Sequence, residues 1–375
     1  MRIIDLLSFQ NGINGTPEQY GKGIKYISVG DILNNDYITY DKIAGSIDIN
    51  QETLKNYSVT YGDILFQRSS EIKEDIGRTN VYLDKDHTAT FGGFVIRGKK
   101  IGDYNPTFFN YLLKSPSSRQ SIVRLGAGAQ HYNIGQENIK TLNFYFPDEE
   151  EQQKIANLFS KIDERIQTQI KIIDDLILQK KYIIYSLLEA IQDNEKIMLK
   201  DLLFDYNVKT TINNEYPVLS STASGMYLQT EYFNKEAASD NTTGYKIIPR
   251  GYCTYRSMSD TGLFTFNIQN LVEKGIVSPA YPVFSANNYS NEFIILYLNN
   301  ASYIKKQILE LKSGGTRFAL PFSTLCTLKI PKLEKEKQLS FIKTITAFER
   351  KIKNEEKILN DLHKQKNYLL NNMFI

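Results

Sequence analysis

The chain of 375 residues is poor in the residue types that most often carry chemistry. It has no tryptophan, only two cysteines and only three histidines. Cys253 and Cys326 follow no metal-binding spacing, so we expect reduced thiols in a cytosolic protein. His87, His131 and His363 are scattered and form no pattern of metal ligands, so the sequence predicts no metal site.

Strong charge of one sign and long apolar runs are also lacking. The formal net charge is +3, which permits a local basic surface but does not by itself indicate a nucleic-acid-binding protein. The apolar run 293–298 is far shorter than the ~20 residues that span a bilayer. Asp5 interrupts the first apolar stretch, unlike a signal peptide. With 41% hydrophobic and 23% charged residues, we expect a soluble, cytoplasmic protein of two ordinary domains without membrane contact.

Motifs for catalysis or cofactor binding are incomplete. There is no Gly-x-Ser-x-Gly nucleophile motif, and Gly21-Lys22-Gly23 lacks the spacing and the hydroxyl residue of a phosphate loop. Asn105-Pro106-Thr107-Phe108 is close to an adenine methyltransferase motif, but an Asn cap followed by proline at a helix start explains it better. Asp63 with Glu71-Ile72-Lys73 is close to a nuclease metal motif, but the spacing is short and the second half has no equivalent.

The main feature present is a duplicated helix. Residues 155–188 and 341–374 superpose at an offset of 186 residues, with apolar steps of four and three that indicate a heptad seam. The polar interruptions coincide as well, Gln169 with Glu355 and Lys180 with Lys366. The predicted pairing residues are Ile155, Phe159, Ile162, Ile166, Ile173, Leu176, Ile183, Phe341, Ile345, Phe348, Ile352, Leu359, Leu362 and Leu369. The chain is therefore a tandem duplication.

Each helix has about 40 residues and one apolar stripe, which it cannot bury alone. We expect the two copies to pair as an intramolecular antiparallel coiled coil. Packing of each helix on its own globular domain, or docking onto a partner protein, are alternatives. Lys180 and Lys366 at seam positions cost stability but could fix the register.

The two halves share an order of parts, which predicts an α/β (α+β) fold. We expect a globular domain over residues 1–147, a long helix over 148–192, a second domain over 193–331 and a second long helix over 332–375, with pseudo-twofold symmetry. Within the domains, the buried strand 93–96 is matched with 275–277, and a final strand 141–146 with 327–330.

Polar and basic residues at equivalent strand ends and loops form a candidate binding surface. Arginine at such a place can contact guanine or a phosphate, and serine can serve either role. The candidate DNA-binding residues are Arg68, Ser69, Ser70, Lys73, Arg78, Gln130, His131, Ser220, Ser221, Tyr227, Arg256, Ser257 and Arg317.

With these features, the chain resembles the specificity subunit of type I restriction-modification systems. The most telling segments are residues 25–32 and 61–65, and the Glu-Glu-Gln-Gln-Lys-Ile-Ala string at 150–156 that leads into residues 162–166. The second half departs from the pattern, with Tyr-Pro-Val-Leu-Ser-Ser at 216–221 and a degraded helix start at 335–339.

This resemblance implies a non-catalytic subunit whose two domains each read one part of a split DNA site. It implies double-stranded DNA, two methylation subunits and restriction subunits as partners. S-adenosylmethionine, ATP and Mg²⁺ would then be bound by the partners and not by this chain. A stand-alone nuclease or methyltransferase, or a coiled-coil scaffold without a DNA role, are the rival hypotheses.

Overall fold

The computed structural model describes residues 2–128, 131–232, 241–311 and 318–374. These residues form two compact units. Unit 1 comprises Met1–Lys171 and Lys357–Ile375, and unit 2 comprises Ile172–Glu356. Each unit therefore contains a globular part and portions of two long helices.

The globular part of unit 1 is built on an antiparallel sheet. Its strands are β1 (Leu7–Asn11), β2 (Tyr20–Ile27), β3 (Gly45–Ile47), β4 (Ile64–Gln67), β5 (Ser69–Ser70), β6 (Thr79–Val81), β7 (Thr90–Phe91), β8 (Val95–Lys100) and β9 (Tyr132–Asn133). Its helices are α1 (Val29–Asn34), α2 (Gln51–Asn56), α3 (Pro106–Leu112), α4 (Pro116–Val123) and α5 (Gln136–Ile139), followed by the long helix α6 (Glu149–Glu189). The main sheet has the order β1-β8-β4-β6, and smaller sheets join β3-β2-β7 and β5-β9.

Unit 2 repeats this plan. Its strands are β10 (Lys196–Met198), β11 (Leu203–Asp205), β12 (Leu219–Thr222), β13 (Gly225–Leu228), β14 (Lys246–Pro249), β15 (Cys253–Tyr255), β16 (Met258–Ser259), β17 (Phe266–Ile268), β18 (Lys274–Val277), β19 (Val283–Ala286), β20 (Phe318–Ala319) and β21 (Lys329–Pro331). Its helices are α7 (Gln229–Tyr232), α8 (Asn291–Asn300), α9 (Ser302–Glu310) and α10 (Phe322–Leu325), followed by the long helix α11 (Lys335–Met373). The main sheet has the order β11-β19-β15-β17, which is the unit 1 order with equivalent strands.

The predicted correspondence between residues 93–96 and 275–277 is wrong. The equivalent of β8 in unit 2 is β19. In the main sheet of unit 1, β8 lies between β1 and β4, and in the main sheet of unit 2, β19 lies between β11 and β15. Residues 275–277 instead belong to β18, which pairs with β14 outside the main sheet. An apolar run such as Ile276-Val277 indicates burial but does not say which sheet buries it.

The predicted strand over residues 141–146 is also wrong. The described structure has only a single bridge there, between Asn143 and Arg2. In unit 2 the equivalent β21 forms a ladder with β10. A strand forms where a ladder partner is present, as Lys196–Met198 is for β21.

A buried glutamine fixes the start of each long helix on its domain. Gln152 accepts from the backbone N–H of Asn105 (3.0 Å) and donates to the carbonyl of Pro147 (2.8 Å). Gln338, its equivalent at the same offset of 186 residues, accepts from Ser290 N–H (2.9 Å) and donates to Leu333 O (2.8 Å). Both amides are buried, so loss of either would leave backbone groups without partners.

The two long helices run antiparallel in each unit. In unit 1, Phe159 near the start of α6 stacks on Phe374 at the end of α11, with ring centroids 5.6 Å apart. In unit 2, Ile184 and Leu188 share a core cluster with Ile345 near the start of α11. The start of one helix therefore packs against the end of the other, and both helices also pack on their globular domains.

The predicted pairing residues follow this packing unevenly. Six on α6 are buried, whereas several on α11 are only half-buried. The buried members are Ile155, Phe159, Ile162, Ile166, Ile173, Leu176, Ile345 and Ile352, and the half-buried ones are Ile183, Phe341, Phe348, Leu359, Leu362 and Leu369. Ile184 and Leu188, next to the expected seam, are the more deeply buried residues at the end of α6.

The two seam lysines form equivalent ion pairs. Lys366 Nζ lies 2.5 Å from Asp163 Oδ1 in unit 1, and Lys180 Nζ lies 3.1 Å from Glu349 Oε1 in unit 2. Asp163 and Glu349 are themselves related by the 186-residue offset. Each lysine thus has an acidic partner on the opposite helix only in the antiparallel register seen here. This explains why a lysine interrupts the apolar stripe at equivalent positions of the two helices.

The Lys366–Asp163 pair contributes more to stability than the Lys180–Glu349 pair. The side chains of Lys366 and Asp163 are 19% and 15% exposed, and Asp163 also accepts from the Tyr111 hydroxyl at 2.7 Å, whereas Glu349 is 56% exposed. We therefore expect Lys366→Met to lower the free energy of unfolding by about 2 kcal/mol, and Lys180→Met by less than about 1 kcal/mol. Urea unfolding of both variants measures this, and equal losses would contradict it.

Candidate nucleic-acid interface

The first cluster of candidate residues forms at the end of β4. Arg68 follows this strand, and the next two residues, Ser69 and Ser70, form β5. Strand β5 pairs with β9, so that Ser69 lies opposite Asn133 and Ser70 opposite Tyr132. Ser69, Ser70 and the exposed His131 line one cleft. The fold thus brings together two segments that the sequence separates by more than 60 residues. Gln130 lies outside the described residues.

Arg68 is exposed on a fixed backbone. Its N–H donates to Phe94 O at 2.9 Å, and its carbonyl accepts from Ile134 N–H at 3.0 Å. Its guanidinium lies near the turn before β8, with Nη1 3.4 Å from Gly93 O. A rigid backbone with a solvent-facing guanidinium suits contact with a phosphate or a guanine.

Arg119 holds the loop that carries Lys73 and Arg78 through hydrogen bonds to the loop backbone. The Arg119 guanidinium donates to the carbonyls of Glu74 (3.0 Å), Ile76 (2.8 Å) and Gly77 (2.8 Å). Burial, with repulsion from Arg78, lowers the pKa of Arg119 to about 10, which leaves it charged at neutral pH. Lys73 is exposed, and Arg78 pairs with Asp75 at 2.6 Å.

Unit 2 presents a similar strand end. Arg256 is exposed after β15, where Arg68 stands after β4. Ser257 donates to Ala280 O at 2.9 Å, and its carbonyl accepts from Leu320 N–H at 2.8 Å. The following β16 pairs with β20 as β5 pairs with β9. Arg317 lies outside the described residues.

The remaining candidates of unit 2 lie on the hairpin β12–β13. Ser220 and Tyr227 face each other across it, both half-buried. Ser221 is buried, and its hydroxyl accepts from the Asn267 amide at 2.9 Å. Its hydroxyl therefore serves the packing of the hairpin on β17, and a role for it in DNA binding stays a prediction with little support.

The two incomplete enzyme motifs have structural roles. Asn105 caps α3 by accepting from Phe108 N–H at 2.9 Å, with Pro106 at the first helical position. Asp63 is buried and accepts from the backbone N–H groups of Thr60 (3.0 Å) and Lys100 (2.9 Å), while burial raises its pKa. Glu71 is exposed beyond the far end of β4, so the two acids do not frame a metal site.

The described ranges lack a metal-binding group and a membrane-spanning helix. Residues 2–128, 131–232, 241–311 and 318–374 contain no group of three or more His, Cys, Asp or Glu side chains that could hold a metal ion. Over the same ranges, no helix combines the length and the apolar character needed to cross a bilayer.

Comparison with known proteins gives consistent results. Residues 12–176 match the sequence model of the family described as type I restriction modification DNA specificity domain. The chain is also similar to a Methanocaldococcus jannaschii protein whose name describes it as the MjaX type I restriction enzyme specificity subunit. The two are 24% identical over an alignment 371 positions long, which covers 91% of this chain and 84% of that protein.

Solved structures share the fold along the chain. The S subunit of a type I restriction-modification system from M. genitalium matches with a TM-score of 0.52 and 18% identity over 100% of this chain and 95% of that one. The HsdS subunit from Thermoanaerobacter tengcongensis gives 0.56 and 11%, over 100% and 95%. A chain from a structure on complex assembly and conformational transition of a type I system gives 0.62 and 11%, over 99% and 95%.

These matches define the class first: residues 12–176 match the model of the type I restriction modification DNA specificity domain, and the chain has the α/β fold of S subunits. The resemblance of the chain to the specificity subunit of a type I restriction-modification system is thereby confirmed, as is the predicted fold.

The sequence left several residues of this surface unnoticed. Gln67, Asn133 and Arg119 are polar residues whose partners lie in distant segments, and Phe94 looks like an ordinary core aromatic within an apolar run. Phe94 is in fact 66% exposed. The adjacent Gly92 and Gly93 were the available signal, since they indicate a turn at this place.

Arg119 is expected to order the basic loop that contains Lys73 and Arg78. Arg119→Ala removes three carbonyl contacts, so amide hydrogens of residues 73–78 should exchange at least tenfold faster, which corresponds to about 1.4 kcal/mol of local opening. Hydrogen exchange with mass spectrometry measures this. Arg124→Ala, at an exposed position just beyond α4, is the matched control and should leave the exchange unchanged. Equal acceleration in both variants would exclude this role for Arg119.

Proposed function

We propose that the chain is the DNA sequence-recognition subunit of a type I restriction-modification complex, in which each unit reads one part of a bipartite target. The observation that carries the proposal is the repetition of one topology with an exposed arginine at the same strand end, Arg68 in unit 1 and Arg256 in unit 2. The loops around these arginines differ between the units, as two readers of different sequences require.

Recognition proceeds by two kinds of contact. Lysines and arginines such as Lys73 neutralise phosphates, which supplies affinity and makes it dependent on salt. Side chains at the strand ends, with Arg68 and Arg256 foremost, contact base edges in the major groove. The chain itself is non-catalytic in this proposal. It chooses the site, and two methylation subunits and the restriction subunits carry S-adenosylmethionine, ATP and Mg²⁺ in the cytoplasm.

The two long helices act as the spacer between the recognition domains. Their support for this role is the pair of matched ion pairs, Lys366–Asp163 and Lys180–Glu349, which select one register, and the buried Gln152 and Gln338, which join each helix start rigidly to its domain. A fixed register and a rigid connection are what a constant gap between two half-sites needs.

The first test of the proposal is selection of bound duplexes from random DNA by the chain coexpressed with its methylation subunits. We expect a motif of two defined blocks separated by a gap of constant length. In a separate assay, the purified chain without its methylation subunits should show no turnover of S-adenosylmethionine. Turnover would favour the stand-alone methyltransferase, and absence of binding at any salt concentration would favour a scaffold without a DNA role.

Arg68 and Arg256 should act on separate blocks of this motif. Arg68→Ala is expected to relax the sequence preference at a position of the unit 1 block, with a loss of about 1–3 kcal/mol for the preferred base, and to leave the other block unchanged. Arg256→Ala is the matched variant with the opposite pattern. Competition binding with single-base variants measures both. A uniform loss over all sequences, with a shallower salt dependence, would instead make Arg68 a phosphate contact.

Lengthening both helices should lengthen the gap. Duplicating residues 168–174 of α6 and the equivalent residues 354–360 of α11 adds one heptad to each and keeps the apolar stripe in phase. Seven residues add about 10 Å, which is about 3 base pairs at ~3.4 Å each. The selected motif should show a gap longer by that amount. An insertion in α6 alone is the control and should abolish paired recognition, while an unchanged gap in the double insertion would rule out the spacer role.

A further inference from the structure

Phe94 is an exposed aromatic on a rigid turn. Its side chain is 66% exposed, although burial of a phenylalanine is strongly favourable. A hydrogen bond from Val95 N–H to Gly92 O (2.8 Å) closes the turn. A second one, from Arg68 N–H to Phe94 O (2.9 Å), joins the turn to the end of β4. A Cβ on Gly92 would lie 2.4 Å from the Tyr26 hydroxyl oxygen, so this close approach requires glycine. The ring is therefore held outward by its backbone.

Phe94 forms one wall of a cleft of about 270 Å³ that also reaches Ser69. Val29 and Val95 line it as further apolar residues. A second cleft, lined by Gln67, Ser70 and His131, also includes Ser69. Ser69 thus stands where an apolar and a polar recess meet, next to Arg68.

The hydrogen bonds of Ser69 fix what it can offer to a ligand. Its hydroxyl donates to Asn133 Oδ1 at 2.5 Å, so its oxygen lone pairs remain as acceptors. Gln67, 4% exposed, donates from its amide to Ser69 O at 2.9 Å and holds the serine in place.

An acceptor beside an apolar ring matches one kind of base pair. In the major groove, adenine presents an amino donor and thymine presents a methyl group on the same A·T pair. A G·C pair offers the cytosine amino donor but no methyl group. We propose that Ser69 and Phe94 read an A·T pair within the unit 1 block, with Ser69 accepting from the adenine amino group and Phe94 contacting the thymine methyl group. This inference rests on the proposed function and assigns a base pair to one of its sites.

The test removes the methyl group from the DNA. In the selected target, each thymine of the unit 1 block is replaced in turn by deoxyuridine, and binding by the complex with its methylation subunits is measured. We expect a loss of about fourfold at one position, the value for burying one methyl-sized group. With Phe94→Ala, affinity for the thymine target falls by a similar factor, and deoxyuridine at that position has no further effect.

Two variants complete the design. Ser69→Ala should keep the deoxyuridine effect but lose sensitivity to replacement of the paired adenine by purine, which lacks the amino group. Ile101→Ala is the control, since Ile101 is exposed and follows the opposite end of β8. It should behave as the unchanged chain.

Two results would overturn the inference: no deoxyuridine effect at any position in the unchanged chain, or an effect that persists in Phe94→Ala. These results differ from failure of the proposed function, which would appear as the absence of any selected sequence by the unchanged chain. Because Phe94 is exposed, its replacement by alanine is compatible with folding.

Discussion

Lysine–carboxylate ion pairs set the register of the two long helices within each unit. An apolar heptad seam permits sliding by whole heptads, since each step restores the same packing. The lysine–carboxylate pairs remove this freedom, because Lys366 meets Asp163 and Lys180 meets Glu349 in one antiparallel register only. The charges cost desolvation, and the ion pairs that they form fix one register of the helices within each unit.

Each long helix is attached to its own globular domain by buried hydrogen bonds. Gln152 and Gln338 bridge the first turn of each helix to backbone groups of its own domain, so neither domain hangs on a loose linker. From there, the main sheet of each unit carries an exposed arginine to the same strand end. A duplicated helix with its duplicated attachments thus supports a candidate binding surface in each unit on an equivalent sheet.

The long helices and their attachments could be predicted well from the sequence, because the patterns that indicate them are periodic or local. The heptad stripe and the Asn105 cap each appear in the structure where they were expected. Pairings between distant strands were harder: β18 was taken for the equivalent of β8, and a single bridge at Asn143 for a strand. Phe94 and Gln67 were missed for the same reason, since exposure and hydrogen-bond partners depend on segments far away in the chain.

In the proposed function, this chain chooses where partner subunits methylate DNA. Sequencing of methylated bases in the organism that encodes it, with its gene intact, deleted and restored, tests this choice. We expect a methylated motif in two separated blocks that disappears on deletion and returns with the gene. An identical set of methylated sites in all three strains would contradict it.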